Sequence, residues 1–260
     1  MMNMKGHTAM VPCRTCRIIG CLCPTNSHYY YPITAPDGWD GNPHLRQARP
    51  AGIHYDVTSL PYRDNVSHGE HIELIKSATN ATAVMQSFGI NGDCILRNLS
   101  SLKFPWSFPF GMAHLICLNV VPRLVEHAIG EFQTVSNVGQ PYAVPKAVWK
   151  HLCAQLEAST ATVPASYGRH FRDISQHKGY MVAEDWLNFT LFAALPMFAT
   201  IYTSKETRPC LDLWALLVEV VEDGIQYSIK RDSITLMEEK IQKFVSEYER
   251  FVSTLLILFT

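Results

Sequence analysis

The stretch Phe104 to Asn119, FPWSFPFGMAHLICLN, decides how this chain is read. Its first half sets Pro105 and Pro109 among the aromatics Phe104, Trp106, Phe108 and Phe110. Proline has no amide donor and turns the residue before it away from helix, so this half reads as turns and extended chain. From about His114 the apolar residues Leu115, Ile116 and Leu118 predict a helix, which Pro122 is expected to interrupt or kink. Gly111 stands three residues before His114 and offers no side chain.

Upstream of this string the chain changes texture at about Val66. Residues 1–65 are rich in Pro, Gly, His, Tyr and Cys and show little helical periodicity. Short extended pieces are expected at His28 to Ile33 (HYYYPI) and at Gly52 to Val57, between turn signals at Pro36-Asp37-Gly38, Gly41-Asn42-Pro43 and Arg49-Pro50. Such a segment needs a staple to be ordered. From His71 to Phe88 the apolar residues form one broad helical stripe, closed by Gly89. A short strand or turn is expected at Cys94 to Leu96.

Downstream, Pro145 opens a helix with Val148, Trp149, Leu152 and Leu156 on one face. A loop is expected from Ser159 to Tyr180. The next helix starts near Val182, carries Trp186, Phe189 and Phe192, and stops at Pro196. Thr207-Arg208-Pro209 introduces another, with Leu213, Trp214, Leu217 and Val221. The last places Ile234, Met237, Ile241, Phe244, Val245, Tyr248 and Val252 on one face, with a capping-box pattern at Thr235 and Glu238. Trp149, Trp186 and Trp214 read as core. The organisation expected is an irregular, Cys- and His-rich segment over 1–65 and a helical remainder over 66–260.

The 260 residues can bury a real core. Lys plus Arg is 22 and Asp plus Glu is 23, a formal net charge of -1. Charge alone therefore cannot hold a polyanion. No apolar h-region marks a signal peptide, and no run reaches the length of a membrane span, so no membrane partner is expected. The apolar end Phe251 to Thr260 reads as a helix end packed on a core.

Eight cysteines divide into two sets. Cys94, Cys117, Cys153 and Cys210 are scattered among apolar residues and read as small buried hydrophobes. Cys13, Cys16, Cys21 and Cys23 crowd together. Cys13-Arg-Thr-Cys16 has the spacing at which two thiolates share one tetrahedral zinc. Such a site needs two further ligands, with Cys21, Cys23, His28, His54, His68 and His71 as candidates, and it would order a segment poor in apolar material. The alternative is a redox pair.

Several strings occur in an order that resembles the Plavaka-type and CACTA-like fungal DNA transposases, relatives of the Kyakuja, Dileera and Zisupton elements. These are Cys13 with Cys16; Leu99-Ser100-Ser101-Leu102; the FP-x-SFP string with x-x-His114; Val163-Pro164-Ala165-Ser166-Tyr167-Gly168-Arg169; Ala183-Glu184-Asp185-Trp186; and Tyr248-Glu249-Arg250. The resemblance covers about residues 13 to 250 and implies an RNase H-like core that cuts and joins DNA with magnesium ions held by three acids.

Against that pattern the chain is degenerate. Gly111 stands where the family has its second Asp, leaving His114 as the remnant of a D-x-x-H string. The first acid is expected upstream of Cys13, where this sequence has none. Asp185, with Glu184 beside it, matches the third. Asp93 reads as a turn residue. The expectation is a mostly α fold with a few short strands, an incomplete RNase H-like (α/β) core plus a helical C-terminal region, and no transposition. Magnesium belongs to the parent family, and a structural zinc to this chain. The resemblance also implies a nuclear location and association with itself or with related transposases. Arg169, Arg172 and Lys178, beside His170 and His177 and relieved by Asp173, form a loosely basic loop that could touch phosphates. The competing reading is a DNA- or protein-binding module, or an unrelated zinc-binding helical domain.

Overall fold

Proline and asparagine, more than hydrophobic stripes, decide where the helices of this chain begin and end. The computed structural model describes residues 2–23, 27–36, 39–41, 49–132, 137–164, 166 and 168–256. Asp37, Gly38, Asn42 and Pro43 of the expected turns, Ala165 and Tyr167 of the Val163–Arg169 string, and residues 257–260 lie outside the described residues. The described chain is mostly helical, and its one ladder pairs β1 (Cys21–Leu22) with β2 (Tyr29–Tyr30) in antiparallel fashion. No strand forms over 52–57, where Tyr55 makes a single backbone bond to Ile33. Residues 94–97 form a turn closed by Arg97 N–H to Cys94.

The chain divides into two compact units, residues 1–109 with 252–260 and residues 110–251. The division falls inside the FPWSFPFG string. In the first unit the stripe expected as one helix is two, α1 (Asn65–Ser77) and α2 (Ala81–Phe88). Asn80 breaks it: its side chain accepts the Ala83 N–H and starts a new helix. Asp64 caps α1 in a reciprocal capping box with Ser67. Ile72, Ile75 and Ile90 form the centre of the core, with Met4, Val84, Met85 and Phe88 around them. Gly89 closes α2 at φ 68°, and a side chain there would put Cβ 1.8 Å from the Val11 carbonyl oxygen.

In the second unit Pro196, expected to end a helix, does not, and Pro122, expected to interrupt or kink one, marks a change of helix type. Residues Ala113–Val120 form a π-helical segment that runs without a break into α3 (Val121–Ile129). Phe189–Ala194 is a second π-helical segment, between α6 (Ala183–Asn188) and α7 (Leu195–Ile201). In both cases a proline, Pro122 or Pro196, follows in the first turn of the next α-segment. A proline ring clashes with the carbonyl four residues back and donates no hydrogen bond. The wider π turn, with Val121 N–H bonded to Ile116 five residues back, relieves that clash and lets the helix continue. Pro145 does open a helix, α4 (Lys146–Ser159), and α5 (Ile174–His177) is a single turn within the expected loop.

α8 (Arg208–Gly224) starts where Thr207-Arg208-Pro209 predicts. The last helix, α9 (Arg231–Leu256), starts earlier than its capping-box pattern suggests, so Thr235 and Glu238 lie inside it. Phe198 stacks on Trp214 at 4.4 Å and on Tyr202 at 5.5 Å, and Trp149 and Phe189 close the same core. Trp149, Trp186, Trp214, Cys94, Cys117, Cys153 and Cys210 are all buried. Among the described residues no helix is long and apolar enough to cross a membrane.

Candidate functional site

Two strings sixteen residues apart meet at the start of α6. Gly168 has φ +92°, a left-handed conformation that glycine adopts without strain. A Cβ there would lie 2.7 Å from Glu184 Oε1. The next residue donates twice. The Arg169 backbone N–H reaches Glu184 Oε1 at 3.2 Å, and its Nε reaches Asp185 Oδ1 at 2.8 Å. The other Asp185 oxygen accepts the Val182 N–H at 2.9 Å, capping the first turn of α6. The Asp185 side chain is only 3 % exposed, whereas that of Arg169 is 41 % exposed. Both third-acid candidates are thus engaged in fastening the Gly168-Arg169 loop to α6. Asp185 spends its two oxygens on a guanidinium and a backbone amide.

Beside this junction lies a small cleft with room for little more than a water molecule, lined by Leu156, Arg169, Arg172, Met181, Asp185 and Asn188 among others. Arg172 is half-buried in its wall. Lys178, the third basic candidate, faces away from a phosphate role: its Nζ lies 3.2 Å from Glu126 and 2.9 Å from Glu131. Asp173 caps α5 by accepting the Ser175 N–H at 2.8 Å. The basic loop is therefore closely matched by acids, in keeping with the chain's near-zero net charge.

The π-helical segment that carries His114 packs against α6, the helix that carries Glu184 and Asp185. His114 itself is exposed, and its carbonyl accepts the Asn119 side chain. A Cβ at Gly111 would meet only the edge of the His114 ring, 4.0 Å away. There is room at position 111 for a carboxylate that the sequence does not supply.

The cysteine cluster is arranged in pieces. Cys13 Sγ accepts the N–H groups of Thr15 at 3.3 Å and Cys16 at 3.4 Å. The Cys16 thiol, the neighbouring amides and the Arg63 charge hold the Cys13 thiol well below its ordinary range. Cys16 is raised, first by its bond to Cys13 and then by burial. Cys21 is fully buried in β1, and burial raises its thiol. Cys23 and His28 sit at the end of that hairpin, joined through backbone atoms (Cys23 N–H to His28 O, 2.8 Å). His54 Nδ1 accepts the Ala35 N–H. His68 and His71 are buried on α1, stacked at 3.8 Å on Phe104 and Phe88 respectively. Among the described residues no three His, Cys, Asp or Glu side chains converge as a metal needs. Cys13 and Cys16 share one turn, Cys21 lies in β1, and Cys23 and His28 stand at the end of the hairpin.

Two features had no sequence signal. Arg63, 1 % exposed, ties three segments together through Nε to Cys13 O (2.9 Å) and Nη2 to Phe88 O (2.7 Å). His127 in α3 bonds the Tyr248 hydroxyl of α9 at 3.0 Å. Compared with known protein families, curated proteins and solved structures, the chain matches none of them.

Proposed function

We propose that this chain is a non-catalytic module derived from a Plavaka or CACTA-like transposase. The observation that supports it is one of placement. The segment that carries His114 packs against α6, and Gly168-Arg169 is fastened to Glu184 and Asp185 at the start of that same helix. Those are the strings that would have to meet if the chain descended from such an enzyme. The RNase H-like ancestry rests on their order and on this meeting alone.

Loss of catalysis follows from the same residues. A pair of divalent ions beside a phosphodiester needs several oxygen ligands. Gly111 supplies none, and Asp185 is committed to Arg169 and to the Val182 amide. What remains is a fold with the exposed Arg169 and the half-buried Arg172 at one cleft, suited to weak contacts with DNA phosphates or with a protein. A nuclear location and association with related transposases belong to the same reading.

The test is strand cutting. Purified chain with supercoiled DNA and magnesium or manganese is expected to leave the DNA intact. Robust cutting that Asp185→Ala abolishes would overturn the proposal. DNA binding is expected to be weak and lost between low and physiological salt, because few phosphates are neutralised.

A further inference from the structure

We propose that Cys13 and Cys16 form a thiol–disulfide exchange site, with Cys13 the attacking sulfur, Cys16 the resolving one, and a disulfide as the oxidant. The turn closes through the Cys16 N–H on Cys13 Sγ at 3.4 Å and treats the two sulfurs differently. Cys13 is half-buried and within reach of solvent, and its sulfur accepts two backbone N–H bonds. Cys16 is 6 % exposed and pinned on both sides, by its bridge to Tyr62 and by Arg17 N–H to Pro61 O at 2.9 Å. A reachable sulfur that accepts hydrogen bonds, backed by a sheltered second sulfur, is the division of labour that exchange requires.

Arg63 supplies the second observation. Its guanidinium is buried, and its Nη1 has no hydrogen-bond partner among the described residues. Its Nε bonds the Cys13 carbonyl at 2.9 Å, which holds the guanidinium beside this turn, and among the described residues no carboxylate pairs with it. A buried cation without a carboxylate calls for a nearby anion, and a Cys13 thiolate provides one. A zinc ion at this pair would need two more ligands, and none converges among the described residues.

The step balances as follows. The Cys13 thiolate attacks one sulfur of the oxidant's disulfide, that S–S bond breaks, and the other half leaves as a thiolate. Cys16 then gives its proton to solvent and attacks the Cys13 sulfur of the mixed disulfide. The second half leaves as a thiolate and the Cys13–Cys16 bond forms. Two protein thiols are oxidised and one disulfide is reduced to two thiols. The oxidised pair no longer offers an anion to Arg63, so the reduced form is favoured and the bond is easily reduced.

The test uses the full chain, reduced, at neutral pH, with zinc content measured first. Limiting iodoacetamide should modify Cys13 roughly tenfold faster than any other cysteine, the gain in thiolate fraction being partly offset by lower nucleophilicity. Oxidised glutathione should give an internal Cys13–Cys16 disulfide with release of reduced glutathione. Cys16→Ser should stop at glutathione on Cys13, and Cys13→Ser should trap none at Cys16. Circular dichroism establishes that each variant is folded, and if one is not, the wild-type alkylation and disulfide maps decide alone. A stoichiometric zinc that shields both cysteines, a Cys13 no faster than the others, or a folded Cys16→Ser chain that traps no glutathione would each overturn the proposal.

Discussion

Asp185 shows how one side chain can match a catalytic pattern and do something else. Its carboxylate is sequestered, and both of its oxygens serve the fold. Asp185→Ala should therefore destabilise the chain by about 2–3 kcal/mol, because Arg169 and the Val182 amide lose their acceptor. Arg169→Ala should cost about 1–2 kcal/mol, less because Arg169 is partly in water. In a double-mutant cycle the pair should couple by about 1–2 kcal/mol in urea melts. Coupling near zero would mean that the ion pair does not form in solution. The string Ala183-Glu184-Asp185-Trp186 was legible as a site, but its use was not. Nothing local says that Arg169, sixteen residues earlier, will fold back onto it.

At the scale of elements, the prolines and the caps carry the lesson. Pro196 reads as a helix stop and Pro122 as a break or kink, since the ring clashes with the preceding turn of an α-helix. Both helices continue by widening to π, because buried neighbours on each side, Cys117 with Val121 and Ala194 with Met197, hold the run together. Asn80 acted in the opposite sense and split an unbroken apolar stripe. Gly89 was legible as a stop, and the structure shows why it must be glycine. Gly89→Ala should destabilise the first unit by about 2 kcal/mol or more, since it combines a left-handed backbone with a collision against Val11. A thermal melt matching the parent's would refute that. The fastening of α9 rests on Lys240, at 2.9 Å from Glu219 and 3.1 Å from Asp223, and on Tyr248. Tyr248→Phe should cost about 1–2 kcal/mol, because the buried His127 ring loses its partner. Unchanged stability would show that the Tyr248 hydroxyl does not help to fasten α9.

Over the whole molecule, buried histidines set the response to acid. Burial lowers His127 from 6.5 to about 4, with Glu126 opposing and Arg123 adding to the effect. Burial lowers His68 from 6.5 to about 4 as well, Arg63 adding and Asp93 opposing. Between these values the unfolded chain binds protons that the folded chain refuses. Stability is full above pH 6.5 and falls as pH drops towards 4, by up to about 3 kcal/mol per histidine. Melting temperature should fall between pH 7 and pH 5, and His127→Gln should flatten that slope. A slope unchanged by His127→Gln would place the titration elsewhere.

The sequence by itself determined the helical class, the tryptophan core, the starts of α4 and α8, and the glycine stop at 89. Each depends on periodicity or on a residue's own backbone preference, which neighbours in the chain settle. Only the tertiary structure decided that Asp185 serves Arg169, that a buried Arg63 stands over Cys13 and Cys16, and that His127 meets Tyr248. Those pairings join residues from sixteen to 121 positions apart, and burial sets their chemistry. No local pattern reveals which distant group will share a side chain's desolvated space.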